Sequence, residues 1–319
     1  MRPGLMNALG PLVVLFVLMA ALSLAVPDFL TVRNLQGLVL AVSLAGAVAS
    51  TMMLVLAMRE VDLSVGSLVA LSGVLTAEVI ANTGSVALGV GAGLAAGAVV
   101  GLINGFVIAR LKINSLIATL AMMEIVRGVA FLVSGGEAVA IPEESFYVLG
   151  TGEILGVSFP VGITLLCFVL FGVVLNATVF CRNVLAIGGN AEAARLAGVP
   201  VDRVKIIVFA VHGLVTALAG IVLAARITSG QPNTSLGLEL QVISACVLGG
   251  VSLSGGVASI GGVIVGVLIM GAAQNALNLL DVPTFYQYVV RGGILLIAVI
   301  LDQLRQRMRA QARPKPGAA

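Results

Sequence analysis

An all-α, polytopic membrane protein with about ten transmembrane helices, each crossing taking about 20 residues, is the fold class predicted for this chain, and three observations predict it. Of the 319 residues, 60% are apolar and only 10% charged, whereas soluble domains carry roughly 25% charge. The runs from Gly10 to Val26 and from Leu35 to Met58 are apolar on every face, as suits a helix surrounded by lipid or by other helices. The strands of a membrane barrel would alternate apolar and polar residues, and these runs do not.

Ten apolar segments follow one another at about 11–26, 36–57, 63–81, 85–109, 115–133, 160–180, 205–226, 238–253, 258–280 and 286–302. The first lacks a small-residue cleavage site before a polar mature domain and reads as a retained helix. The third and fourth are split only by Asn82-Thr83-Gly84, a polar turn that makes them antiparallel neighbours. Along the fourth, Gly89, Gly93, Gly97, Gly101 and Gly105 recur every four residues. Such a stripe lets two backbones touch where lipid removes the hydrophobic drive to associate, so this helix is expected at the centre of the bundle. The ninth repeats the device with Gly262 and Gly266.

Charges inside spans are expensive and raise a functional hypothesis by default. On the fifth segment Glu124 and Arg127 are spaced i, i+3, where they can neutralise each other on one face or line a path. The seventh holds the single histidine, His212, with no carboxylate nearby in sequence, and is expected to keep it packed or hydrogen-bonded. The eighth is the shortest and most polar, so a broken or re-entrant helix is the alternative to a full span. Gln274, Asn275 and Asn278 share a face of the ninth, and Asn104, Asn114, Ser115 and Thr119 surround the turn between the fourth and fifth. Such groups suit either a polar path or helix-to-helix glue.

The cations set the topology. With the N-terminus cytoplasmic, Arg2, Arg59, Arg110, Lys112, Arg182, Arg195, Arg203, Lys205, Arg305, Arg307, Arg309, Arg313 and Lys315 all lie inside, 13 of the 17, as cytoplasmic loops prefer. The loop after the fifth segment carries Glu137, Glu143, Glu144 and Glu153 and no cation. Both termini are therefore expected in the cytoplasm. Residues 1–304 form the membrane domain, with a cytoplasmic loop at about 182–204, and 305–319 form a basic tail suited to anionic headgroups. The net charge of +3 reports this topology and gives no support for nucleic acid.

Catalytic chemistry finds no footing. No GxxxxGK[ST] loop is present and none of Lys112, Lys205 and Lys315 follows a glycine, so ATP phosphates cannot be cradled in the usual way. Cys167, Cys181 and Cys246 have no paired spacing, which supports neither a disulfide framework nor a metal site. No metal, no cofactor and no enzyme activity are expected.

The loop from Arg182 to Pro200 carries the most local information. Asn190 is a good N-cap, Glu192 falls in a first turn and Arg195 in a last turn, Gly198 suits a left-handed residue and Pro200 stops continuation. A helix of two turns is unstable alone in water, so it must be held against its own bundle or a partner. At this loop the chain resembles the permease subunits of bacterial ATP-binding-cassette importers for monosaccharides, the ribose, xylose, arabinose and galactose group. The blocks that carry the resemblance include Val61-Asp62-Leu63-Ser64-Val65-Gly66-Ser67, Arg127-Gly128, Asn183 to Val201, Thr228-Ser229-Gly230-Gln231-Pro232 and Val247 to Gly256. Met58-Arg59-Glu60 departs from the glycine and acid usual before the Asp-Leu-Ser block. Within the family, Glu239 to Cys246 and Asn275 to Leu280 are similar to its L-arabinose branch.

The resemblance implies a bacterial inner-membrane complex of two permease copies, an ATPase and a periplasmic sugar-binding protein. It makes Asn190, Glu192, Ala193, Ala194, Arg195 and Gly198 the ATPase-coupling element, and places binding-protein docking on the 134–159 and 227–237 loops. Asn104, Thr119, Glu124, Arg127, Gln274, Asn275 and Asn278 are the path candidates, with Glu124 and Arg127 read as structural partners beside an uncharged route. The rival class is an ion-coupled secondary transporter, which needs buried carboxylates or unwound helices for its ion.

Overall fold

The structure, a computed structural model, describes residues 3–311. In chain order the elements are α1 (Pro3–Ala25), α2 (Val32–Ala57), α3 (Val65–Thr83), α4 (Val86–Ala109), α5 (Ser115–Ser134), β1 (Val139–Ala140), α6 (Glu144–Thr151), β2 (Glu153–Ile154), β3 (Val157–Ser158), α7 (Phe159–Ala177), α8 (Val179–Gly189), α9 (Ala191–Leu196), α10 (Val201–Ile227), β4 (Ser229–Gly230), α11 (Leu238–Leu248), α12 (Ile260–Leu279) and α13 (Thr284–Gln311). Arg2, Arg313 and Lys315 lie outside the described residues, as do the side chains of Arg305, Arg307 and Arg309.

Among the described residues, eight helices are long and apolar enough to cross a membrane: α2, α3, α4, α5, α7, α10, α12 and α13. The ten expected segments correspond to these eight together with α1 and α11. With 11 residues, α11 reaches about 16 Å at 1.5 Å per residue, half of a hydrocarbon core of about 30 Å. The eighth segment is thus a broken helix, and residues 249–259 that follow it carry no regular structure.

The glycine stripe of α4 packs as its spacing requires, and it does so against two partners. A Cβ at Gly89 or Gly93 would lie 2.8 Å from Thr76 O or 3.0 Å from Ser72 O on α3, whereas at Gly97, Gly101 or Gly105 it would lie 2.5 Å from Gly213 O, 3.0 Å from the Ala210 Cα or 2.8 Å from the Ile206 Cα on α10. The expected central place of α4 is corrected. Only 28% of its apolar window is buried, against 78% for α2, because a stripe needs one face while Val99, Leu102, Ile103 and Phe106 look outward. Helix α2 instead occupies the core, where Gly46, Ala47, Ala49 and Ser50 admit α7, α10, α11 and α12 around it.

Charged turns separate the two ends of the bundle. At one end Lys205 on α10 pairs with Glu60, and Arg110 and Lys112 reach Asp202 at 3.6 and 3.8 Å. At the other, β1 and β4 pair antiparallel, Val139 with Gly230 and Ala140 with Ser229, so the acidic 134–159 loop and the 227–237 loop form one surface.

Candidate coupling and translocation sites

Residues 182–189, expected as loop, continue α8. Its N-cap Thr178 accepts the Cys181 amide at 3.2 Å through Oγ1, and Cys181, Val184, Ile187 and Gly188 are buried. Burial pushes the Cys181 thiol up, against a smaller opposing effect of its hydrogen bond with Thr178. At Gly188 the backbone itself is the contact. A Cβ there would strike Ala57 O and lie 2.5 Å from Gly256 N, and Gly256 N donates to Ala57 O at 2.9 Å. Helix α8, the last residue of α2 and the loop after α11 therefore meet at one glycine-lined joint.

Helix α9 leaves that joint as expected from its caps. Asn190 Oδ1 accepts the Ala193 amide at 3.0 Å, and Gly198 closes the helix at φ +85°, a conformation that glycine adopts without steric cost. Ala194 is buried, while Glu192, Ala193 and Arg195 face outward and Leu196 is 89% exposed. Arg195 also donates to Asp202 Oδ1 at 3.0 Å, which ties the short helix to α10. One face is thus held by its own bundle, and the other is open to a partner.

The 58–64 turn is set by groups that the sequence reading treats as path candidates. Asp62, 3% exposed, accepts from Ser64 N at 2.8 Å and Ser64 Oγ at 2.6 Å. Asn104 donates to Ser64 Oγ at 3.1 Å, and Thr119 Oγ1 accepts Leu63 N at 3.1 Å. Both candidates are fully buried and act as glue for this turn. Arg59 stands at φ +64°, in the left-handed region that glycine adopts without steric cost.

The expected pairing of Glu124 with Arg127 is corrected. None of the four ion pairs among the described residues joins them, and Glu124 is exposed. Arg127 Nη1 instead donates to Pro232 O at 2.6 Å and Thr234 O at 2.9 Å, because the unwound stretch before α11 presents free carbonyls. Asn275 forms a reciprocal amide pair with Asn34 at 2.9 Å, which joins α12 to α2. Asn278 Oδ1 accepts from Gln287 at 3.0 Å and Gln274 Oε1 from Arg291 at 3.3 Å, joining α12 to α13. His212 is packed, with Nδ1 and Thr51 Oγ1 2.8 Å apart. Asp62, Glu239 and Arg291 are charges that the sequence reading does not single out, although Glu239 and Arg291 stand inside apolar segments and carry the same warning as Glu124.

The sequence family described as "Branched-chain amino acid transport system / permease component" matches residues 34–299. The chain belongs to this permease family. The permease is 61% identical over 305 residues to the L-arabinose ABC transporter permease protein AraH of Azospirillum brasilense, covering 96% of this chain and 90% of that one. It is 56% identical over 300 residues to the L-arabinose transport system permease protein AraH of Escherichia coli K12, covering 94% and 92%. The ribose import permease protein RbsC of Bacillus subtilis is 41% identical over 302 residues, covering 94% of each chain. No solved structure matches the permease.

Proposed function

We propose that the permease carries L-arabinose across the bacterial inner membrane as one of two identical copies, served by a separate ATPase and a periplasmic sugar-binding protein. The observation that carries the cargo is the 61% identity to a permease named for L-arabinose, spread over 96% of this chain. Ribose is the second reading, supported by relatives at 41%.

In this reading both termini are cytoplasmic, the ten segments make up residues 1–304, and 305–319 form a basic tail against anionic lipid. The outward face of Glu192, Ala193 and Arg195, between Asn190 and Gly198, seats in the ATPase, with Ala194 anchoring the element to the bundle. The joint at Gly188 passes the ATPase's motion to α2 and to the loop after α11. The surface built by β1 and β4 receives the binding protein. Arg127, Gln274 and Asn278 remain on the path, while Asn104, Thr119 and Asn275 hold the helices that flank it.

Complementation tests the cargo. In cells stripped of arabinose and ribose importers, the permease expressed with its own ATPase and binding protein is expected to restore L-arabinose uptake. Uptake of ribose alone would replace the first reading with the second.

A further inference from the structure

Glu124 stands nine positions past Ser115, the first residue of α5, or about 14 Å along the helix at 1.5 Å per residue. That is the middle of a hydrocarbon core of about 30 Å. In the eight membrane-capable helices, the other exposed charged side chains among the described residues are Arg33, Arg203 and Arg226, and each lies in a first or last turn. Long cations at helix ends reach the headgroups by snorkelling. A glutamate at mid-depth is too short to do so. Arg127, one turn on, does not neutralise it, since its guanidinium is turned to the carbonyls of Pro232 and Thr234. An exposed carboxylate at this depth is too costly to leave against acyl chains.

The surroundings of Glu124 agree. Ala121, Glu124 and Gly128 are exposed on one face of α5, opposite the buried Thr119, Val126 and Ala130. A Cβ at Gly128 would meet nothing within 4 Å, and small residues in such positions let another helix come close. Beside this face lies the irregular stretch before α11, tied to α5 through Arg127, with Asn233 and Leu236 exposed. Irregular backbone at membrane depth does not face lipid. The exposed faces of α4 and α7 differ: Val99 and Leu102 on one, Val169 and Val173 on the other, are what acyl chains cover at no cost. Depth then selects the occupant of the α5 side. An ATPase and a periplasmic protein stay outside the hydrocarbon, so the cover is another membrane-embedded chain, and a two-fold contact sets the same face of two copies together.

We propose that the face of α5 bearing Ala121, Glu124 and Gly128, with the irregular 231–237 stretch beside it, is the surface on which the second copy of the permease seats. The inference rests on the two-copy reading above and adds which side of the bundle meets its copy. It also gives Glu124 a place away from lipid, which the single chain does not provide.

Cysteine cross-linking, in membranes that hold the permease with its ATPase and binding protein, tests the face. The native thiols Cys167, Cys181 and Cys246 are buried, so Ala121→Cys and Gly128→Cys each place one accessible thiol on it. Val99→Cys on α4 and Val169→Cys on α7, at positions 54% and 64% exposed, serve as controls on the lipid-facing sides. On oxidation with copper phenanthroline, at least one of the two α5 variants should form a disulfide-linked pair of permeases, at least five-fold more completely than either control. No pair at Ala121 or Gly128, or a smaller preference over the controls, overturns the proposal. The number of permease copies in the unmodified complex, measured by light scattering in detergent, separates the two claims. Two copies without the α5 preference count against this face alone; a single copy counts against the two-copy reading and removes the proposal with it.

Discussion

At Gly97 a hydrogen atom in place of a side chain sets the spacing of two helices. Its Cα faces Gly213 and Ala217 on α10, so Gly97→Leu forces the backbones apart at roughly 1–3 kcal/mol or more. The variant should show a lower melting temperature and reduced assembly in detergent. Val100 would be a poor control because it is 7% exposed, whereas Val99, 54% exposed, should accept leucine without loss. Glu124→Gln makes the opposite case: with its carboxylate exposed and outside every described ion pair, the variant should fold in normal yield. A fall in folded protein would restore the pairing with Arg127. That partner was not legible from spacing because the true acceptors, Pro232 and Thr234, lie 105 and 107 residues away.

The helical elements were legible to different degrees, and the reason is locality. Caps act within a turn, so Asn190, Glu192, Arg195 and Gly198 announce α9 on their own, and the structure builds it between them. Helix α8 was not announced, since its helicity depends on burying Val184 and Ile187 against the bundle. The joint at Gly188 was equally silent, because a glycine in contact with a distant carbonyl resembles any other glycine, and the chain has 39. Two predictions belong at this scale. Glu192→Lys changes an exposed side chain and should leave the permease inserted while its ATPase co-purifies at least ten-fold less. Gly188→Val, whose side chain would displace Ala57 O and Gly256 N, should keep the ATPase bound yet abolish sugar-stimulated ATP turnover. Normal turnover in Gly188→Val would remove the joint from the coupling route.

For the whole molecule, composition fixed the class and hydropathy located the eight helices long enough to cross a membrane, but neither ranked the helices by depth. The most glycine-rich helix lies to one side and α2 lies in the core, since enclosure depends on how many neighbours share a helix, which no single segment records. The same holds for the broken α11, whose short length was visible and whose unwound approach, holding Arg127, was not. Unwound backbone and a buried carboxylate, Asp62, are also what an ion-coupled transporter needs. Here both have internal partners: Ser64 and Asn104 for the carboxylate, Arg127 for the carbonyls. In the proposed function, the energy for transport comes from a separate ATPase. The permease, ATPase and binding protein reconstituted in liposomes with clamped internal ATP test this directly. L-Arabinose uptake should require ATP and the ATPase and remain unchanged when a protonophore collapses the proton gradient. Uptake driven by a proton or sodium gradient in the absence of ATP would contradict the account.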